Sequence, residues 1–257
     1  MLSAYSAKKV LDKEDGPIFP RQYCDDFKPF TYVFSLSNLL NVSVMASIEP
    51  LNNFNAQFAV YTKRIEAGEK VGEFDFKGFM DTQRPIFVTA WVKNFCVSVV
   101  KKTLESIAYA KLPAKITDRL TKDAYKSLAR KALRYPRLEV CTRIIPTRMW
   151  ATSLSYVSIF SVETLLLIYP AISDVLTAIV KKGFSEGMKV LKKINFTKIS
   201  KKLLRNIIVN LIAWGSAAVG YSLGAYVYMP NGSTYGELLV GGGGMIVGNL
   251  LTARLVE

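Results

Sequence analysis

The sequence predicts a mainly α-helical integral membrane protein with a C-terminal glycine-packed transmembrane hairpin and basic amphipathic helices. Residues 206–236 contain no charged side chain, and after Glu237 the chain is again uncharged over residues 238–253. The sequence Pro230-Asn231-Gly232-Ser233 is a strong turn signal within this apolar region. The chain carries a net charge of +14, which beside long apolar runs favours anionic lipid headgroups as a partner.

Residues 1–84 are predicted to form a mixed N-terminal module that begins with an extended arm. Prolines, glycines and paired acidic residues oppose long regular structure in the arm, apart from a short helix at residues 4–11. The apolar run at residues 31–48 fits a strand or a helix, because its period does not decide between them. Residues 50–55 are predicted to form a loop, and residues 67–72 a turn.

Residues 85–148 are predicted to form amphipathic and basic helices. The first begins at Pro85 and continues to Ala110 as an interfacial or core helix, since its apolar run is too short for a normal membrane span. In the basic belt that follows, apolar residues recur at helical spacing, which predicts an amphipathic basic helix at residues 117–134. The solvated face of a soluble helix is the alternative interpretation.

Residues 149–205 are predicted to form a kinked apolar helix and a basic linker helix. Pro170 should kink the apolar part, residues 149–179, which either lies half-inserted in the membrane or crosses it. Glu163 and Asp174 fall within this part on one helical face, which makes them candidates for a proton or cation path. The alternative is that they form salt bridges to neighbouring Arg143, Arg148 or Lys181.

The basic linker at residues 181–205 is predicted to contact anionic lipid. It holds nine basic residues against one acid, Glu186, and its apolar residues keep helical spacing. The linker should therefore lie on the cytoplasmic or matrix side, and the hairpin turn, which lacks Lys and Arg, on the opposite side. The predicted headgroup contacts are Lys181, Lys182, Lys189, Lys192, Lys193, Lys201, Lys202 and Arg205.

Residues 206–257 are predicted to form the apolar hairpin, with helical arms at residues 206–229 and 236–254. The first arm is long enough to cross a bilayer core, and the second could cross a thin one. Two spans are therefore expected, or three if residues 149–179 also cross. Small residues recur at every fourth position and form one stripe along each arm, where two backbones can approach closely. The predicted antiparallel register pairs these helix-packing residues as Ser216 with Thr252, Gly220 with Gly248, and Gly224 with Gly244.

The composition argues against several kinds of active site. The chain contains no histidine, which excludes Ser-His-Asp and Cys-His catalysis and the zinc and haem sites that need histidine. Cys24, Cys96 and Cys141 have no metal-binding spacing, and no phosphate loop or nucleotide fingerprint is found. No cofactor, metal or enzymatic activity is therefore predicted. Nucleic acid is not expected as a partner, because no RNP, zinc-finger or homeodomain pattern is present.

The predicted function is that of a non-enzymatic accessory, scaffolding or membrane-shaping protein of an organelle membrane, with the mitochondrion preferred. Its predicted partners are anionic membrane lipids and other membrane helices, in a homo-oligomer or a multisubunit complex. The hairpin is broadly similar to the glycine-rich hairpins of mitochondrial inner-membrane translocase proteins, although the unspecific motifs assign no family. Two alternatives stay open: a transporter or channel lined by Glu163 and Asp174, and a soluble enzyme or binding module with an apolar C-terminal core.

Overall fold

The computed structural model describes residues 27–69, 72–229 and 231–253, which form helices and connecting turns without a β-strand. The prediction of a mainly α-helical chain is therefore confirmed. The described residues divide into two compact units, a larger one of Phe27 with residues 104–253 and a smaller one of Lys28–Thr103. The short helix predicted at residues 4–11 lies outside the described part of the chain.

The smaller unit begins with a 3-10 helix, Phe30–Phe34, and helix α1, Leu36–Glu66. Ser35 caps α1 by accepting a hydrogen bond from the Asn38 N–H at 3.3 Å. The run at residues 31–48, for which the sequence allowed a strand or a helix, is largely helical. Helix α1 also continues through Pro50, where a loop was predicted. A proline inside a helix costs about 3 kcal/mol. Side chains of α1 that come just after Pro50 pack against the next helix, and this packing offsets the cost.

That packing joins α1 to helix α2, Phe76–Lys111. The Asn53 side chain donates to Gln83 Oε1 at 2.9 Å, and beside this bond lies an aromatic cluster. The cluster contains Phe54, Phe58, Tyr61, Phe74, Phe76 and Phe79. Helix α2 begins before its predicted start at Pro85, because Asp75 caps it by accepting from the Gly78 N–H at 2.9 Å.

The larger unit contains the end of α2 and six further helices. These are α3, Ala114–Thr121; α4, Ala124–Ala132; α5, Arg137–Lys182; α6, Phe184–Lys193; α7, Phe196–Val227; and α8, Gly232–Thr252. The single basic helix predicted at residues 117–134 is therefore corrected to two helices. The break occurs because Asp123 accepts hydrogen bonds from the N–H groups of Tyr125 and Lys126, which starts α4 anew.

Helix α5 is one continuous helix of 46 residues that contains both Pro146 and Pro170. It ends at Gly183, whose φ of 89° lies in the left-handed region that favours glycine. Helix α5 packs against α7, which pairs with the antiparallel α8, and α3 and α4 pack on α5. The core of the unit lies where α4, the first part of α5 and the end of α7 meet, and it contains Ala124, Leu128, Val140, Ile144, Tyr221, Ala225 and Met229.

Two helices in the described part are long and apolar enough to cross a membrane, Arg137–Lys181 within α5 and Phe196–Val227, which is α7. The core helix of a soluble protein can meet the same criteria, so burial inside the protein matters. In the most apolar stretch of each helix, 44% of α7 is buried but only 6% of α5. The two helices weakly indicate a membrane association, and α8, the second predicted arm, is not among the candidates.

Candidate functional site

The two helices of the hairpin, α7 and α8, approach so closely that glycines are required between them. An added Cβ at Gly220 would overlap the carbonyl oxygen of Gly236, and one at Gly224 would overlap the carbonyl oxygen of Gly232. The reverse holds at Gly232 and Gly236, where an added Cβ would meet the backbone of α7. No side chain could be added at these four positions without separating the helices.

The register of the hairpin differs from the predicted one. Gly220 lies opposite Gly236 rather than Gly248, and Gly224 lies opposite Gly232 rather than Gly244. The reason is the turn, because α7 ends at Val227 and α8 already begins at Gly232, whereas the second arm was expected to start at residue 236. A tighter turn pairs each residue of α7 with one nearer the start of α8.

The remaining predicted helix-packing residues also lie in or beside this contact. An added Cβ at Gly244 would overlap the Ser216 hydroxyl, and one at Gly248 would lie 3.2 Å from the Cα of Val209. Thr252 is buried, and its hydroxyl donates to the Gly248 carbonyl at 2.7 Å. The six predicted residues therefore lie at or beside the contact between α7 and α8, but they pair differently from the prediction.

The sequence interpretation missed Gly232 and Gly236 because it assigned both to the turn. A signal for them was present, since small residues recur at every fourth position from the turn onward, interrupted by Val240. The full stripe of α8 is Gly232, Gly236, Val240, Gly244, Gly248 and Thr252. Extending the period back to the turn would have placed the start of α8 four residues earlier.

Polar groups fasten α5 to the hairpin along its length. The indole N–H of Trp214 donates to Thr152 Oγ1 at 3.1 Å, and the Ser222 hydroxyl donates to the Cys141 carbonyl at 2.8 Å. Tyr125 on α4 donates to Asn231 Oδ1 at 2.9 Å, so α4 lies against the hairpin turn. The start of α5, helix α4 and the turn between α7 and α8 therefore lie together at one end of the bundle.

An ion pair between Arg148 of α5 and Glu237 of α8 crosses this interface. Two guanidinium nitrogens donate to the carboxylate, with Nη2 2.6 Å from Oε1, and the two side chains are 24% and 20% exposed. The guanidinium also lies 4.7 Å from the centre of the buried Tyr221 ring. The sequence signal for this pair is Glu237 itself, the acid that interrupts two uncharged runs and therefore needs a partner.

Glu163 and Asp174 share one face of α5, as predicted, because the helix is continuous through Pro170. Glu163 is half-buried and accepts a hydrogen bond from the Asn210 side chain of α7 at 3.2 Å. Asp174 is exposed and lies about 16 Å further along α5, at 1.5 Å per residue. The proposed salt bridges also differ, because Arg148 pairs with Glu237 and Arg143 pairs with Glu139.

The predicted headgroup lysines lie at the other end of the bundle, where α5 ends, α6 follows and α7 begins. Five of them are exposed: Lys181, Lys189, Lys192, Lys193 and Lys201. Lys202 and Arg205 are half-buried, and the Arg205 guanidinium donates to Asn249 Oδ1 of α8 at 2.9 Å. The side chain of Lys182 lies outside the described part. Basic residues therefore flank the α5–α7 pair at both ends, so positive charge does not single out the linker end, as the predicted orientation required.

Within the described residues, no group of three acidic or cysteine side chains could hold a metal ion. No protein family, curated protein or solved structure matches this chain. The interpretation of the hairpin and its partner helix therefore rests on their own geometry.

Proposed function

We propose that this protein is a membrane-embedded, non-enzymatic scaffolding or accessory protein of an organelle membrane, in which α5 and α7 cross the bilayer. The observation that carries the proposal is the uncovered apolar surface of α5. Large apolar side chains there are half or more exposed, among them Leu165, Leu166, Tyr169, Ile172 and Leu176. Water would penalise such a continuous surface, whereas lipid tails or the helices of a partner would cover it.

The dimensions of α7 support the same proposal. Its uncharged part, from Asn206 to the end of the helix at Val227, is about 33 Å long at 1.5 Å per residue. The hydrocarbon core of a bilayer is about 30 Å thick. The close contact with α8 would stiffen this span, since lipid cannot replace the packing of two backbones.

The proposed role is structural because the described residues offer surfaces for anionic lipid headgroups and for a partner helix. Exposed lysines at the junction of α5, α6 and α7 would hold anionic headgroups, each contributing roughly 1 kcal/mol. The free apolar side of α5 would receive a partner helix, from a second copy of this chain or from another subunit. A mitochondrial membrane is the preferred location within this proposal.

Extraction at high pH tests the proposal. Membranes that contain the full chain should keep it in the pellet after carbonate treatment, and detergent should release it. A peripheral protein held by charge serves as the control, because carbonate should remove it from the same membranes. Recovery of the full chain in the carbonate supernatant would overturn the membrane proposal.

A further inference from the structure

A basic cavity lies between α3, α4 and the start of α5, away from the hairpin contact. It consists of two adjoining spaces of about 370 Å³ and 290 Å³, which share Lys122 and Pro146 as lining residues. The six basic side chains that line the two spaces are Arg119, Lys122, Arg130, Lys131, Arg134 and Arg143.

The charge of the cavity is one-sided, because none of the described residues that line it is acidic. Glu139 forms an ion pair with Arg143 at 2.7 Å, and two further acids, Asp118 in α3 and Asp123 at the N-cap of α4, belong to the elements that form the cavity. The six basic side chains outnumber these three acids, so the cavity has a positive potential that an anion would relieve.

Lys131 occupies the inner wall of the cavity and is held in place. Its ammonium donates to the carbonyl oxygen of Arg143 and to the hydroxyl of Thr147, each at 2.6 Å. Burial, together with the charges of Lys122 and Arg143, lowers the pKa of the Lys131 ammonium to about 8. An anion beside it would favour the charged form, so binding and protonation would support each other.

We infer that this cavity binds a phosphate-bearing anion, either the headgroup of an anionic phospholipid or a free phosphate compound. Four of the six cations are arginines, whose planar fork matches the oxygens of a phosphate. The Ser127 side chain adds a hydroxyl to the lining.

The position of the cavity favours the lipid as the source of the phosphate. Trp150 lines the smaller space and is 46% exposed, and beyond it begins the apolar part of α5. Tryptophan suits the boundary between headgroups and lipid tails. A phospholipid could thus place its headgroup among the arginines while its acyl chains lie along α5. This lipid source rests on the proposed membrane function, whereas binding of a free phosphate compound does not.

The test uses the full chain in neutral detergent and measures its thermal unfolding midpoint. The added probes are phosphatidylglycerol, phosphatidylcholine and inorganic pyrophosphate. A ligand that binds the folded state raises the midpoint in proportion to its saturation. We expect phosphatidylglycerol to raise it and phosphatidylcholine not to. If pyrophosphate acts as well as phosphatidylglycerol, the source is a free phosphate compound and the site still stands.

The variant Arg134→Gln with Arg143→Gln tests the site, because both side chains are exposed and their loss should not disturb the core. The matched control, Arg64→Gln with Arg84→Gln in the smaller unit, removes the same charge elsewhere and, like the cavity variant, breaks one exposed ion pair. The cavity variant should need about ten times more ligand for the same shift, and the control about as much as the wild type.

The inference would be overturned if both variants lost the same amount of ligand affinity. It would also be overturned if neither phosphatidylglycerol nor pyrophosphate raised the unfolding midpoint of the wild type. If the double variant unfolds, Lys122→Gln gives the same comparison. The carbonate result is independent of these outcomes, because a chain that leaves the membrane can still bind pyrophosphate in the cavity.

Discussion

At the scale of single residues, the hairpin depends on glycines that leave room for a facing backbone. Gly224→Ala should lower the free energy of unfolding by about 2 kcal/mol, because the new methyl group overlaps the Gly232 carbonyl and pushes α8 away. The matched control is Gly215→Ala on the same helix, where nothing lies within 4 Å of an added Cβ. This control should be neutral or stabilising by up to about 1 kcal/mol, since alanine favours a helix. Thermal unfolding in detergent measures both changes, and equal destabilisation would contradict the close approach at Gly224.

The ion pair between Arg148 and Glu237 should also contribute measurably to stability. Glu237→Gln leaves the guanidinium of a mostly buried Arg148 without a charged partner, which should cost about 2 kcal/mol. The control is Glu186→Gln, which breaks an exposed pair with Lys189 and should cost less than about 1 kcal/mol. The comparison is made by thermal unfolding at one pH and salt concentration. A cost no larger than that of the control would show that Arg148 does not need Glu237.

Lys131 makes the inferred anion binding depend on pH. Since burial and neighbouring charges lower the pKa of its ammonium to about 8, the positive charge is largely present at pH 7 and largely lost at pH 9. Affinity for phosphatidylglycerol should therefore fall between pH 7 and pH 9, and Lys131→Arg should reduce this fall because arginine stays protonated. Without ligand the sign is opposite, because the lowered pKa makes the charged form unfavourable in the folded state, so loss of the proton above pH 8 stabilises the protein. Identical pH profiles for the two proteins would exclude Lys131 as the cause.

At the scale of elements, the existence of the helices could be predicted better than their boundaries. Hydrophobic periodicity and uncharged runs identified the apolar part of α5 and both helices of the hairpin. The helix boundaries predicted from Pro50 and Pro85 were wrong. Tertiary packing continues α1 past Pro50, and a cap at Asp75 starts α2 before Pro85. The break at Asp123 was missed because the apolar period continues across it, whereas the cap that ends the helix is a single side chain.

The contact between α5 and α7 carries a prediction about transport. Glu163 accepts a hydrogen bond from Asn210 of α7, and Asp174 is exposed further along the same face of α5. We expect Glu163→Gln to change stability in detergent by less than about 1 kcal/mol, because glutamine can still accept from Asn210. Proteoliposomes should show no proton or cation flux with either protein. A flux in the wild type that Glu163→Gln removes would support the transporter alternative.

At the scale of the whole molecule, the sequence could predict a helical chain but not the way its distant parts meet. The pairing of Arg148 with Glu237 joins residues that are far apart in the chain. The basic cavity likewise arises because α3, α4 and the start of α5 converge, whereas the sequence shows the same residues as a continuous basic belt. The register of the hairpin depended on a turn of a few residues, which local periodicity does not resolve.

The most direct test of the central claim, that α7 crosses a membrane, is the labelling of its two ends. Single cysteines replace Ser200 near its start or Tyr228 at the hairpin turn, both exposed, in a chain without Cys24, Cys96 and Cys141. A membrane-impermeant maleimide is then added to sealed membranes before and after permeabilisation. If α7 crosses the membrane, one of the two cysteines is labelled before permeabilisation and the other only afterwards. Labelling of both cysteines in the sealed membranes would place both ends of α7 on one side and show that α7 does not cross.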